Sequence, residues 1–185
     1  MNKLLSIMAV LCMTFLFVGC NKDGETTDTT TEAAEMSNVY TNEEYGIEIN
    51  YPADWTKQEL GPIAVLMSPT TSEEDTFQES VSFIAQAFPG GEDMDLNSYT
   101  DLTTGQLKEM IEGFDSLEVK DVEFLGSPAK EISYVGTQEG MNLKWKQIFT
   151  IDEGNAYLVT YTATADENTE MTSVAEKIMS SVKKK

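Results

Sequence analysis

Between residues 143 and 151 the chain reads LKWKQIFTI, and its side chains separate into two sets. Leu143, Trp145, Gln147, Phe149 and Ile151 fall on one face, Lys144 and Lys146 on the other. Successive side chains on a strand point to opposite faces, so this period of two predicts a β-strand with one buried face. Most of the chain beyond residue 45 reads the same way. YGIEINYP alternates Ile47, Ile49 and Tyr51 against Glu48 and Asn50 and stops at Pro52. PIAVLMSP and SVSFIAQAF are continuously apolar, as strands covered on both faces are. SLEVKDVEFL, AKEISYVGT and AYLVTYTAT complete the strand candidates, and DEGN before the last of them supplies a hairpin turn.

The period changes twice. From Leu96 to Phe114, the residues Tyr99, Leu102, Gln106 and Met110, with Leu107, Ile111 and Phe114 beside them, fit a helical face, and Gly113 lies near its end. Met171, Val174, Ala175, Ile178 and Val182 define a second helix at the C-terminus. Grouped strands with two separated helices and no strand-helix alternation predict an α+β fold: an antiparallel sheet of about six to seven strands with helices packed on it. Phe149, Tyr157, Val159 and Ile178 are expected in one sheet–helix core. Trp55 and Trp145 are read as core residues in preference to the walls of a sugar or peptide groove.

The N-terminus carries a different signal. Lys3 precedes an apolar run of 15 residues, Leu4 to Val18, which is too short to span a membrane and right for a secretory leader. Phe17-Val18-Gly19-Cys20 then resembles a bacterial lipobox, in which the cysteine thiol receives a diacylglycerol and the chain is cut just before it. Residues 1–19 are therefore expected to be a lipoprotein signal peptide and Cys20 the lipidation site. Cys12, inside the leader, leaves with it, so the two cysteines form neither a disulfide nor a redox pair. A single acyl chain anchors only marginally, whereas a diacylglyceryl cysteine carries at least two. The expected location is the extracytoplasmic side of a bacterial membrane. Residues 20–38 follow as an acidic, Thr-rich tether with nothing to bury, and residues 39–185 form one globular domain.

Charge and composition narrow the chemistry of that domain. Of 32 acidic and 12 basic residues in the chain, 27 and 10 fall between residues 39 and 185, a net charge of −17. Nucleic acid is excluded as a partner because phosphate binding needs the opposite sign. The chain has no histidine, and all its basic residues are lysine. That removes Ser-His-Asp and Cys-His nucleophile activation, imidazole proton transfer, His-ligated zinc and arginine forks for anions. No cofactor is expected.

YTNEEYGIEINYPADW, DLNSYTDLTTGQLKEMI, LGSPAKEISYVGT, KQIFTIDEGNAYLVTYTAT and VAEKIMSSVK occur in this order, over nearly all of residues 40–182. In order and spacing they resemble the PsbP-like, or Mog-type, α/β/α sandwich family. The resemblance implies a docking scaffold without common catalytic residues. Its founding members are an extrinsic subunit of photosystem II and a binder of the Ran GTPase, and many bacterial relatives are exported lipoproteins. Neither founding activity transfers to an exported lipoprotein.

Three acidic or basic groups invite sharper readings. Asp93, Asp95 and Asn97 alternate as at the start of a calcium loop, but Ser98 and Thr104 stand where that loop needs Gly and Glu. Helix capping is the preferred reading, and no metal site is expected. Glu73, Glu74 and Asp75 are read as a solvated loop. Lys183 to Lys185 are read as complementing the carbonyls of a helix end in preference to attracting anionic head-groups. The functional expectation is a lipid-anchored binding or assembly module without catalysis, with no catalytic residues and with a possible protein partner at the membrane surface. Its ligand-binding residues are unknown. The alternative is a carboxylate-based hydrolase acting on cell-wall or surface material.

Overall fold

The computed structural model describes residues 35–70, 77–88, 94–166 and 169–185. Cys20, the leader before it, most of the tether, Glu73 to Asp75, and Asp93 lie outside the described residues. The elements are β1 (Asn38–Asn42), β2 (Ile47–Tyr51), β3 (Thr56–Leu60), β4 (Ile63–Met67), β5 (Ser80–Ala87), α1 (Leu96–Met110), β6 (Glu112–Phe124), β7 (Ser127–Gln138), β8 (Met141–Asp152), β9 (Asn155–Thr164), α2 (Thr169–Ser180) and β10 (Lys183–Lys184). They form two antiparallel sheets, one of seven strands in the order β3-β4-β5-β9-β8-β7-β6 and one of three in the order β1-β2-β10.

Short turns set this order. Asp152 pairs with Asn155 across the β8–β9 hairpin, leaving Glu153 and Gly154 as its two-residue loop at φ 49° and 74°. Positive φ at both loop residues matches the right-handed strand twist and selects an antiparallel hairpin. The same signs recur at Leu125-Gly126 and Glu139-Gly140, so β6 to β9 form a meander.

The alternation read from residues 143–151 is present: Leu143, Trp145, Gln147 and Phe149 are buried while Lys144 and Lys146 are only half-buried. The two faces of the large sheet carry different covers. On one, α2 and the small sheet pack Ile178, Val174, Ile47 and Ile49 against Val81, Phe83, Tyr157 and Val159. On the other, α1 packs Tyr99 and Leu107 against Ile132, Trp145, Phe149 and Leu158. The chain is thus an α+β sandwich.

Phe149 therefore does not share a core with Tyr157, Val159 and Ile178. Its ladder partner is Leu158, so it points with Leu158 to the α1 side. YGIEINYP forms the centre of the small sheet, and β3 takes the seventh place in the large one. Period alone carries no information about which sheet a strand joins.

Helix α1 also differs from its expected pose. It ends at Met110, and Gly113 and Phe114 already belong to β6. Its buried face is Tyr99, Thr100, Thr103, Thr104 and Leu107, while Leu102 and Met110 are 42 % and 53 % exposed. Threonines act as core residues here because Thr100 and Thr104 donate their hydroxyls to the carbonyls of Leu96 (2.7 Å) and Thr100 (2.9 Å), which satisfies them inside the helix. Beyond the helix, Ile111 rests on Gly136, where any Cβ would meet Ile111 Cγ2 at 2.3 Å.

The terminal lysines do not complement a helix end. Lys183 and Lys184 pair as β10 with β2, and all three lysines meet carboxylates: Lys183 with Glu48 (3.2 Å), Lys184 with Asp152, and Lys185 with Glu43 (3.2 Å). Ser181 accepts from the Asn50 amide at 2.9 Å, so the end of α2 is stitched to β2.

Two stability predictions follow from this packing. Ile178 is fully buried between α2 and both sheets, so Ile178→Ala costs about 2–5 kcal/mol in denaturant unfolding; a shift near zero would mean that α2 is not docked. The Asp152 carboxyl is held below its usual range because Lys184 and then Ser127 donate to it. A depressed carboxylate adds stability that is present above its unfolded value near 3.9 and is lost as pH falls through the lower folded value. Asp152→Asn therefore melts below the parent protein at neutral pH, by at most about 1 kcal/mol for so exposed a pair. Thermal melts across pH should show that gap closing in acid; a constant gap contradicts the assignment.

Candidate functional site

Seven strands are wider than their covers. On the α2 side, the small sheet and α2 lie over β4, β5 and β9, and the part of β6, β7 and β8 beyond α2 stays open. An open groove of about 480 Å³ runs along this boundary. Val122, Phe124 and Ile148 form its floor, with Leu125 at one end. Met179 of α2 and Val182, two residues past its end, form its wall. The strand period aims Val122 and Ile148 here, since both lie on the face opposite Val119, Gln147 and Phe149.

Charged residues edge the groove. Lys146 of β8 makes an ion pair with Glu176 of α2, bridging sheet and helix. Lys120 of β6 lies 3.7 Å from Glu131 and 3.2 Å from Glu118. Lys144 stands beside Lys146, and its pKa is lowered, first by burial and then by that like charge. An apolar floor with edges of both signs suits a ligand that is itself amphipathic. Acid-base hydrolysis needs two carboxylates aimed at one point with their proton affinities driven apart. Of the three carboxylates lining the groove, Glu131 and Glu176 each face a lysine instead, and the third is Glu123 of β6.

The other sites read from the sequence do not converge on this groove. Asp95 caps α1: its Oδ1 accepts from the amides of Asn97 and Ser98, both at 3.0 Å, and its Oδ2 from the Ser98 hydroxyl. Those bonds, the Ser98 hydroxyl first, lower its pKa. Among the described residues no three His, Cys, Asp or Glu side chains gather as metal ligands. Trp55 and Trp145 are core residues, 4 % and 2 % exposed. Sequence reasoning placed Lys144 and Lys146 together on the face opposite Leu143, Trp145 and Phe149. It missed Val122, Ile148, Glu176 and Met179, whose only common property is that tertiary packing brings them together.

Fold and groove define a class: a two-sheet α+β sandwich that offers a partly uncovered sheet face. The chain belongs to the family of PsbP-like proteins, whose family model matches residues 4–183. No curated protein matches it. Among solved structures it is similar to the cyanobacterial PsbP of Synechocystis, at 15 % identity and TM-score 0.59 over 86 % of this chain and 98 % of that one. It is also similar to LpqN of Mycobacterium tuberculosis, involved in cell envelope biogenesis, at 16 % identity and TM-score 0.57 over 79 % and 88 % of the two chains. The Ran-binding protein Mog1p of Saccharomyces cerevisiae aligns at 8 % identity and TM-score 0.56 over 78 % and 93 %. At these identities the likeness is one of fold.

Proposed function

We propose that the protein is a lipid-anchored, extracytoplasmic binding or assembly module without catalysis, and that a protein segment at the membrane surface docks in the groove between α2 and β6 to β8. The observation that carries this reading is the groove itself, an apolar floor with two of its three flanking carboxylates, Glu131 and Glu176, each engaged by a lysine. Membership in the PsbP-like family and the fold shared with LpqN, a protein of the cell envelope, support it. Among the described residues no helix is long and apolar enough to cross a membrane. In this reading attachment rests on the diacylglyceryl group at Cys20.

Two experiments test the proposal. Metabolic labelling with palmitate should mark the protein, and Cys20→Ala should abolish the label; unchanged labelling sinks the anchor. For the groove, a photo-crosslinker at position 120 in native membranes should capture a partner, and Ile148→Glu, which puts a charge on the half-buried floor, should abolish that capture. Val39→Glu, at a residue 56 % exposed and far from the groove in sequence, should leave it unchanged. Equal loss with both substitutions, or cell-wall hydrolysis that disappears in Glu131→Gln, would overturn the docking assignment.

A further inference from the structure

On the face of the large sheet opposite the groove lie three buried polar atoms without a hydrogen-bond partner among the described residues: Nε1 of Trp145, Oε1 of Gln147 and Oγ1 of Thr160. Their residues are 2 %, 3 % and 0 % exposed. An interior polar atom that never finds a partner is costly, and native proteins hold few.

The topology gathers the three into one patch. Trp145 and Gln147 are two residues apart on β8 and so share a face, and Thr160 is the ladder partner of Gln147 on β9. Helix α1 packs on this same face, its Tyr99 and Leu107 in one cluster with Trp145, Phe149 and Leu158. Tyr99 at its start packs on Phe149, ring centroids 5.6 Å apart. Ile111 at its end rests on Gly136, which pairs with Leu143. The stretch of β8 between those contacts contains Trp145 and Gln147. Thr100 and Thr104 of α1 spend their hydroxyls on carbonyls of their own helix.

The chemistry of the patch defines what would satisfy it. An indole N–H only donates, an amide oxygen only accepts, and a hydroxyl does both. Ser82, Thr160, Gln147 and Ile132 follow one another across four strands, so the row bears no charge. A neutral molecule offering donor and acceptor on one atom, a hydroxyl, matches all three groups.

The cover is lightly held. The helix α1 itself buries Tyr99 and Leu107 fully and Leu96 in part, and turns Leu102 and Met110 to solvent, whereas α2 buries Val174, Ala175, Ile178 and Met179. Elements with few buried apolar contacts open at lower cost than the sheet they cover.

We propose that the layer between α1 and β8–β9 is an internal site for a small neutral hydroxyl-bearing molecule, either solvent water or a polyol, and that α1 is its lid. This site is on the opposite face from the groove and does not depend on it. The indole N–H of Trp145 is a direct reporter in nuclear magnetic resonance, distinguished from that of Trp55 by Trp55→Phe. In the full chain it should show a water contact and exchange at least about tenfold faster than the backbone amides of β8, through opening of α1. Added glycerol distinguishes the occupants: a saturable shift of the Trp145 indole signal alone marks a polyol site, and an unmoved signal with the water contact retained marks a water site. Gln147→Leu combined with Thr160→Val should remove the contact and slow exchange of the α1 amides. The readings on the unsubstituted chain stand even if that double variant does not fold. A Trp145 indole with no water contact that exchanges no faster than β8 overturns the proposal.

Discussion

Coverage of the large sheet is the constraint on which the rest of this molecule depends. Seven strands at about 4.8 Å spacing make a surface roughly 29 Å across, whereas one helix is about 10 Å wide. On one face, α2 and a three-stranded sheet stand side by side and still leave the parts of β6, β7 and β8 beyond α2 open; on the other, a single helix packs on the sheet through Tyr99 and Leu107. An uncovered apolar sheet face is not stable in water. The strands resolve this by carrying Lys120, Glu131, Lys144 and Lys146 on the open part, so that the groove is apolar only where α2 begins to shelter it.

The two helices illustrate two ways of meeting a sheet. In α2, Val174, Ala175, Ile178 and Met179 form a continuous apolar stripe, and Ser181 and the terminal lysines tie the segment after it to β2 and the β8–β9 turn. It is fastened at both its face and its end. In α1, threonines occupy much of the buried face and Asp95 holds the start through three hydrogen bonds. Capping fixes where α1 begins but contributes little to how firmly it lies on the sheet. This asymmetry separates a helix packed by an apolar stripe from one packed largely by threonines.

Charge has a similar division of labour. A net charge of −17 over residues 39–185 opposes self-association at neutral pH. Lysines are few and are placed where they matter to the fold: Lys184 on Asp152 and over the Tyr157 ring at 5.2 Å, and Lys146 on Glu176. Each joins elements distant in sequence. Exposed pairs of this kind add little stability singly.

By itself the sequence determined the local periods. The alternation at 143–151, the Glu153-Gly154 turn and the apolar stripe of α2 are all present in the fold, because each is set by neighbours within a few residues. The absence of histidine and arginine likewise removes imidazole and guanidinium chemistry. Only the tertiary structure decided that Phe149 faces α1, that β2 leaves the large sheet, that Leu102 and Met110 turn outward, and that Val122, Ile148 and Met179 line one groove. A period of two states that a strand has two faces; which face is buried, and against what, is set by pairing with strands tens of residues away, through contacts that leave no local mark on the chain.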